Sequence, residues 1–368
     1  HDFLLASDAS RHAGLSELLF VLEGWLPESQ RAALSDALSQ RIGPSVVIED
    51  IAREQWSARD VPVAIHNPPL LRPFELITRR LPSPRYGTID PTPFVAVIFP
   101  MFFGLILGDV GYGVMLLALA ALGWRRSRPG STLRAVSQIA AACAIFSVLF
   151  GLFFGELFGD LGRRLLGLRA VSFSREESVV PFLILSISIG FVHVVLGLLL
   201  GALSGIRSEP RKALGRGLTA VMLVLTAAVL LAAVQVLPAA FFTPSVIALL
   251  LSFPLLIVLE GVIGPIEMLS RLANILSYAR LMALGTASVM LAVVANKMVG
   301  ALGGAVVGVL FAGLFHLVNF GIGVFSPTIH ALRLHFVEFF GTFYSPGGQV
   351  YQPLRHWRPQ GGAARDEA

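Results

Sequence analysis

Two arginines stand inside apolar runs, and they are the residues whose chemistry most needs explaining. Arg280 lies in NILSYARLMALGTASVMLAVVANKM (274–298), with about fifteen mostly apolar residues after it. Arg333 lies in SPTIHALRLHFVEFF (326–340). An arginine at the centre of a membrane helix costs at least ~2.5–3.5 kcal/mol. It cannot escape by losing its proton, because its pKa stays above ~12. Such a cation faces protein, water or a counter-charge. On a helix, Asn319, Ser326 and His330 fall within about 60° of Arg333, which predicts a polar stripe lining a wet groove. Small residues flank Arg280 at Ala273, Ala283 and Ala287 and would let another helix come close. Glu267 precedes Arg280 by thirteen residues, pointing about 140° away on one continuous helix, so it is not a simple partner within that helix.

The remaining polar residues have plainer readings. Glu156 and Asp160 sit near a block end and read as interfacial, Asp109 and Tyr112 as turn residues, and His193 and His316 as hydrogen-bonded core histidines. The bland alternative for Arg333 is a long side chain snorkelling from a helix end.

The elements that must position these residues are membrane helices. Of 368 residues, 55% are hydrophobic and only 14% charged, against about 25% charged in soluble domains. Mean hydropathy is +0.75. The net charge of +5 reads as arginine-rich loops rather than a nucleic-acid footprint, since no basic run is interleaved with aromatics. The single cysteine, Cys143, excludes an internal disulfide and a cysteine-based metal site. No cofactor or metal site is expected. No phosphate-binding G-x-x-x-x-G-K-[ST] loop is present, so nucleotide chemistry is not expected of this chain.

Residues 1–65 read as soluble, with a strand at 19–27, a helix at 28–43 stopped by Gly43, and a second strand at 45–51. The chain opens at His1 and in mid-pattern, as the C-terminal part of a longer chain would. Residues 66–93 hold seven prolines and read as a linker. Apolar blocks follow at about 94–124, 134–158, 181–206, 213–236, 244–264, 265–298 and 301–344, and residues 346–368 form a tail. The first block contains GDVGYG (108–113). A turn there would split it in two and raise the count of spans to eight. Loop charge favours eight: RRSRPGSTLR (125–134) and RSEPRKALGR (207–216) then share a side with the tail and its Arg355 and Arg358, although four arginines at 163–175 fall opposite. The block from 301 to 344 is about 66 Å long as one helix. It must tilt strongly or break near Gly321, Gly323 or Pro327. The fold expected is an all-α polytopic membrane protein of about eight transmembrane helices, the last two long and tilted, with a small α/β cytosolic fragment at the N-terminus.

These pieces resemble a known family. PFELIT, YGTIDPTPF, GDVGYG, LSYARLMALGTAS, HLVNFGIGVFSPTIHALRLHFVEFFGTFY and GGQVYQPL follow one another in the order found in subunit I, or subunit a, of V-type and archaeal-type rotary ATPases. VLEGWLP resembles the end of that family's cytosolic N-terminal domain, most of which is missing. The resemblance implies a non-nucleotide-binding stator subunit beside a rotating proteolipid ring. Two aqueous half-channels would meet the ring carboxylate, with Arg280 between them and Arg333 on the neighbouring helix. Glu267, His330, Ser326 and Asn319 would line the ion route. It also implies residues 1–65 facing peripheral-stalk subunits E and G, the central-stalk d/C subunit nearby, and residence in a prokaryotic plasma membrane. His330 departs from the glutamine common in prokaryotic relatives, and Ser288 from the histidine of eukaryotic ones. The rival class is a stand-alone ion-coupled transporter, which would carry an inverted repeat; the two arginine blocks have no counterpart in the first half.

Overall fold

The computed structural model describes residues 13–15, 20–43, 45–53, 56, 60–171, 173–176, 178–206, 209–301 and 305–353. Arg207, Arg355 and Arg358 lie outside them. Contacts divide the chain into two units, one holding the described residues within His1–Ile65, Pro82–Gly87 and Pro346–Ala368, the other His66–Leu81 and Thr88–Ser345.

In the first unit, β1 (Ala13–Leu15) pairs antiparallel with β2 (Phe20–Leu22). A 3-10 turn at Glu28–Gln30 leads into α1 (Arg31–Ile42), which Gly43 ends at a φ of 87°. The second strand expected at 45–51 does not form; this stretch is irregular, with Val47 82% exposed. A strand needs a partner edge, and this segment finds none, whereas β3 (Pro62–Val63) pairs in parallel with β4 (Gln349–Val350). The segment that reads as a tail in sequence therefore joins this unit, and Tyr351 N–H also donates to the Val63 carbonyl at 3.1 Å.

The second unit is helical. A 3-10 turn at Arg72–Phe74 and the short α2 (Glu75–Thr78) precede α3 (Thr92–Leu107) and α4 (Val110–Arg126). Then come α5 (Thr132–Phe154), the short α6 (Leu161–Leu166), α7 (Val179–Gly205), α8 (Pro210–Ala233) and α9 (Phe242–Glu260). Last are α10 (Ile263–Leu276), α11 (Ala279–Ala301), α12 (Ala305–Arg333), a π-helical turn at Leu334–Phe339, and α13 (Phe340–Phe343). Among the described residues, six helical segments are long and apolar enough to cross a membrane, counting α10–α11 and α12–α13 each as one. The chain is a multi-pass membrane protein. At 16 and 17 residues, α3 and α4 are shorter than the rest.

The turn expected within GDVGYG is present. Gly108 ends α3 in the left-handed region at a φ of 41°, and Asp109 caps α4 by accepting the Tyr112 N–H at 3.0 Å. Asp109 is buried, and its carboxylate also accepts the N–H groups of Phe158 and Gly159.

One expectation about the last helices is corrected, and one pair of alternatives is decided. The block at 265–298 is not one helix: it breaks at Ser277–Tyr278. No glycine or proline causes this. Tyr278, Arg280 and Leu281 N–H groups bond three residues back, at 3.1, 3.3 and 2.9 Å, while Ser277 Oγ bonds back to the Ala273 carbonyl. The turn is tightened and the α-helical ladder is interrupted there. Conversely, α12 runs unbroken through Gly321, Gly323 and Pro327. The irregularity comes one residue after Arg333, as the π turn.

Candidate functional site

The break at Ser277–Tyr278 places Arg280 in the first turn of α11, not deep within a helix. Tyr278 pins this break. Its ring lies over Gly190 of α7, where an added Cβ would meet ring atoms at 2.4 Å, and its hydroxyl is 2.7 Å from His193 Nδ1. Arg280 is partly exposed, but its Nη1 is buried without a hydrogen-bond partner. Arg333, at the end of α12, is exposed. Among the described residues neither arginine has a hydrogen-bonding or ion-pairing side chain. Both lie within electrostatic reach of His330 and Glu338, which groups the two cations in one region. Ala283 and Ala287 sit on the exposed face of α11, alongside Met290 and Val294, and Phe325, Ile329 and Val337 are exposed along α12 and the π turn. Cations with unspent donors thus border an open apolar face lined by small residues.

Ser326 and His330 are partly exposed on the stripe with Arg333. Asn319 is not: it is 1% exposed and belongs to a packed seam. Its Nδ2 donates to Tyr112 Oη at 3.0 Å and to the Ser288 carbonyl. With Tyr112 Oη accepting there, its hydrogen goes to His316 Nδ1 at 2.7 Å. His316 Nε2 then donates to Asn296 Oδ1 at 2.9 Å, since Asn296 Nδ2 is spent on Asp160 at 2.6 Å and on the Phe158 carbonyl. Every donor in the chain Asn319–Tyr112–His316–Asn296–Asp160 points the same way, and this sets the neutral Nε2–H tautomer of His316. The expectation that Asp109, Tyr112 and His316 are structural fits this geometry.

Glu267, on α10, lies away from the arginine pair. It lines a cavity of about 650 Å³ with Arg211, Lys212 and Arg216 of α8, Glu260 of α9 and Arg271. The 140° helical projection between Glu267 and Arg280 therefore does not apply, because the break intervenes. Glu260, Arg216 and Arg271 were not singled out in sequence. Only their shared helical ends, dense in opposite charge, hint at a common chamber.

The sequence also gave no sign of the Arg175 site. This side chain is wholly buried. Its guanidinium donates to the carbonyls of Leu105, Ile106, Leu107 and Gly108, closing the C-terminal end of α3, and pairs with Glu156 through both nitrogens Nε and Nη2. Phe154 lies against it at 4.7 Å. Arg163 pairs with Glu176, and Arg164 with Asp160. Of the four arginines at 163–175, three are thus paired within the fold.

Fold and site define a polytopic helical membrane protein with two cations, unpaired among the described residues, beside an exposed apolar face. Comparison narrows that class. Residues 13–159 match the model of the V-type ATPase 116kDa subunit family. The A-type ATP synthase subunit I of Methanothermobacter thermautotrophicus is 30% identical over 349 residues, covering 91% of this chain and 51% of that protein. Those of Thermococcus kodakarensis and Methanocaldococcus jannaschii are 30% and 25% identical, covering 93% and 95% of this chain. The chain belongs to the subunit I family of V/A-type ATPases, and it spans about half the length of the curated relatives it matches.

Proposed function

We propose that this chain is the membrane stator of a rotary ATPase, which passes protons to and from the carboxylates of a proteolipid ring. One observation carries the reading: Arg280 and Arg333 have no counter-ion among the described residues and border an open, alanine-lined face. A permanent cation in that position calls for an anion supplied by a neighbour. A ring carboxylate arriving there loses its proton because Arg280 stabilises the anion in a medium of low dielectric. The same fixed charge repels a bare proton and so separates two access paths.

The chamber around Glu267 suits a hydrated entry from one end of the bundle, and Ser326 and His330 suit the approach to Arg280 from the apolar face. Asn319 belongs instead to the packed seam with Tyr112 and His316. Counting α3 and α4 as a return pair gives eight passages and puts the basic loops at 125–134 and 207–216 on the cytoplasmic side of a prokaryotic plasma membrane. Residues 1–65 would then meet the peripheral-stalk subunits E and G, with the central-stalk d/C subunit nearby. ATP is made or hydrolysed on other subunits.

The test is a disulfide cross-link in the whole complex. With Cys143 replaced by alanine, Ala283→Cys and Ala287→Cys should cross-link to a ring subunit carrying a cysteine one helical turn from its carboxylate. Exposed positions on α8, such as Val221→Cys and Val224→Cys, should not. Equal cross-linking on both faces, or none at 283 and 287, would overturn the reading.

A further inference from the structure

Behind Arg280 lies a group of buried polar side chains that the proposed ion route does not use. The π turn at Leu334–Phe339 follows Arg333 directly. It aims His335 and Glu338 inward, at 0% and 2% exposure, where the chain just before it presents Arg333 outward. Extra residues in such turns re-aim side chains and recur at functional sites. His335 Nδ1 donates to the Ala331 carbonyl at 2.8 Å, so its Nε2 is a bare acceptor, and that atom is buried without a partner. Its ring lies 5.4 Å from that of His193, whose Nδ1 bonds Tyr278 at the helix break. Glu338 Oε2 is also buried without a partner, as is Arg280 Nη1. Glu338 lies within electrostatic reach of Arg280, Arg333 and Tyr278.

An unspent donor on a cation and an unspent acceptor on a carboxyl, buried near one another, are complementary. Buried polar groups in folded proteins are nearly always satisfied. Resting on the assignment of Arg280 to the ring, we propose that Glu338 is the resident counter-charge of Arg280. The guanidinium has two positions, one turned outward to a deprotonated ring carboxylate and one turned inward to Glu338, the latter adopted while a protonated site passes. Glu338 lets Arg280 release the ring without being stranded as an unpaired cation. It is a positioning residue: it acts on the ring only through Arg280.

The test uses the complete complex in lipid vesicles, with rates expressed per assembled complex and assembly scored separately by yield. Glu338→Gln should slow ATP-driven ion uptake by about tenfold, the equivalent of one charge-assisted hydrogen bond in the slow step, with the number of ions per ATP unchanged. Glu338→Asp keeps the charge and should recover much of the rate. A structural role would instead lower the yield and leave the rate per complex intact. If Glu338→Gln does not assemble, Glu338→Asp is read alone, and uptake slower than wild type at an unchanged ratio is expected. Wild-type uptake by the assembled variant, or a rate that Asp does not improve over Gln, overturns the proposal. Arg280→Ala in parallel separates the two readings: if it transports normally, the role of Arg280 falls; if it is inactive while Glu338→Gln is normal, only the role of Glu338 falls.

Discussion

Arg175 and Glu156 form a fully buried ion pair that ties the segment before α7 to the end of α5, and the same arginine holds the end of α3. The Arg175 guanidinium also accounts for the carbonyls of residues 105–108, which a buried helix end would otherwise leave unpaired. Removing one partner strands the other. Arg175→Met should therefore lower stability by roughly 3–5 kcal/mol. The measurement is the thermal unfolding midpoint of purified protein in lipid nanodiscs. The double variant Arg175→Met, Glu156→Leu should recover part of the loss, since no charge is then left alone. An unchanged midpoint in the single variant would contradict this role.

Gly108 sits beneath that guanidinium at a φ of 41°, and an added Cβ would meet Arg175 atoms at 2.9 Å. Gly108→Ala combines a left-handed backbone with a clash, so it should destabilise by about 1–3 kcal/mol. The same unfolding assay reads it. A stability equal to wild type would mean that the turn relaxes freely.

The polar stripe on α12 divides into a packed part and an open part. Aqueous thiol labelling in a Cys143→Ala background should find Ser326→Cys and His330→Cys reactive and Asn319→Cys protected. Reaction at 319 as fast as at 326 would mean that the Tyr112–His316 seam is open to water. Tyr112→Phe removes the hydroxyl shared by Asn319 and His316, and should cost about 1–3 kcal/mol through the groups left unpaired.

The proposed return of α3 and α4 sets an expected sidedness. Ser127→Cys should label from the cytoplasmic side only, and Arg169→Cys from the opposite side only. Labelling of both from one side would remove the eight-passage topology.

Much of this was legible in the sequence, because it followed from local pattern. Apolar runs of membrane length gave the long helices, and Asp109 among three glycines gave the turn. What escaped depended on tertiary partners. LSYAR carries no helix breaker, and its break is held by Tyr278 docking on Gly190 and His193, 88 and 85 residues earlier in the chain. Gly321, Gly323 and Pro327 are breakers by type, yet α12 absorbs them, with Thr328 Oγ1 donating to the Val324 carbonyl in that stretch. Glu156 read as interfacial because only the folded loop brings Arg175 to it. Segment 45–51 has strand composition but no edge to join. At the candidate site, the arginines and the stripe stood out as polar residues in apolar runs. Glu338 and His335 did not, since an α-helical projection misplaces residues beyond a π turn.

The central claim is that Arg280 has no ion-pair partner among the described residues because it turns outward to a ring carboxylate, and that its permanent charge is what the site requires. The measurement is ATP-driven acidification of vesicles carrying the complete complex with Arg280→Lys or Arg280→Ala, at matched assembly. Both variants should assemble and neither should acidify: alanine removes the charge, while lysine replaces a fixed, forked cation with one that can lose its proton when desolvated. Near-normal acidification by either variant would contradict the account.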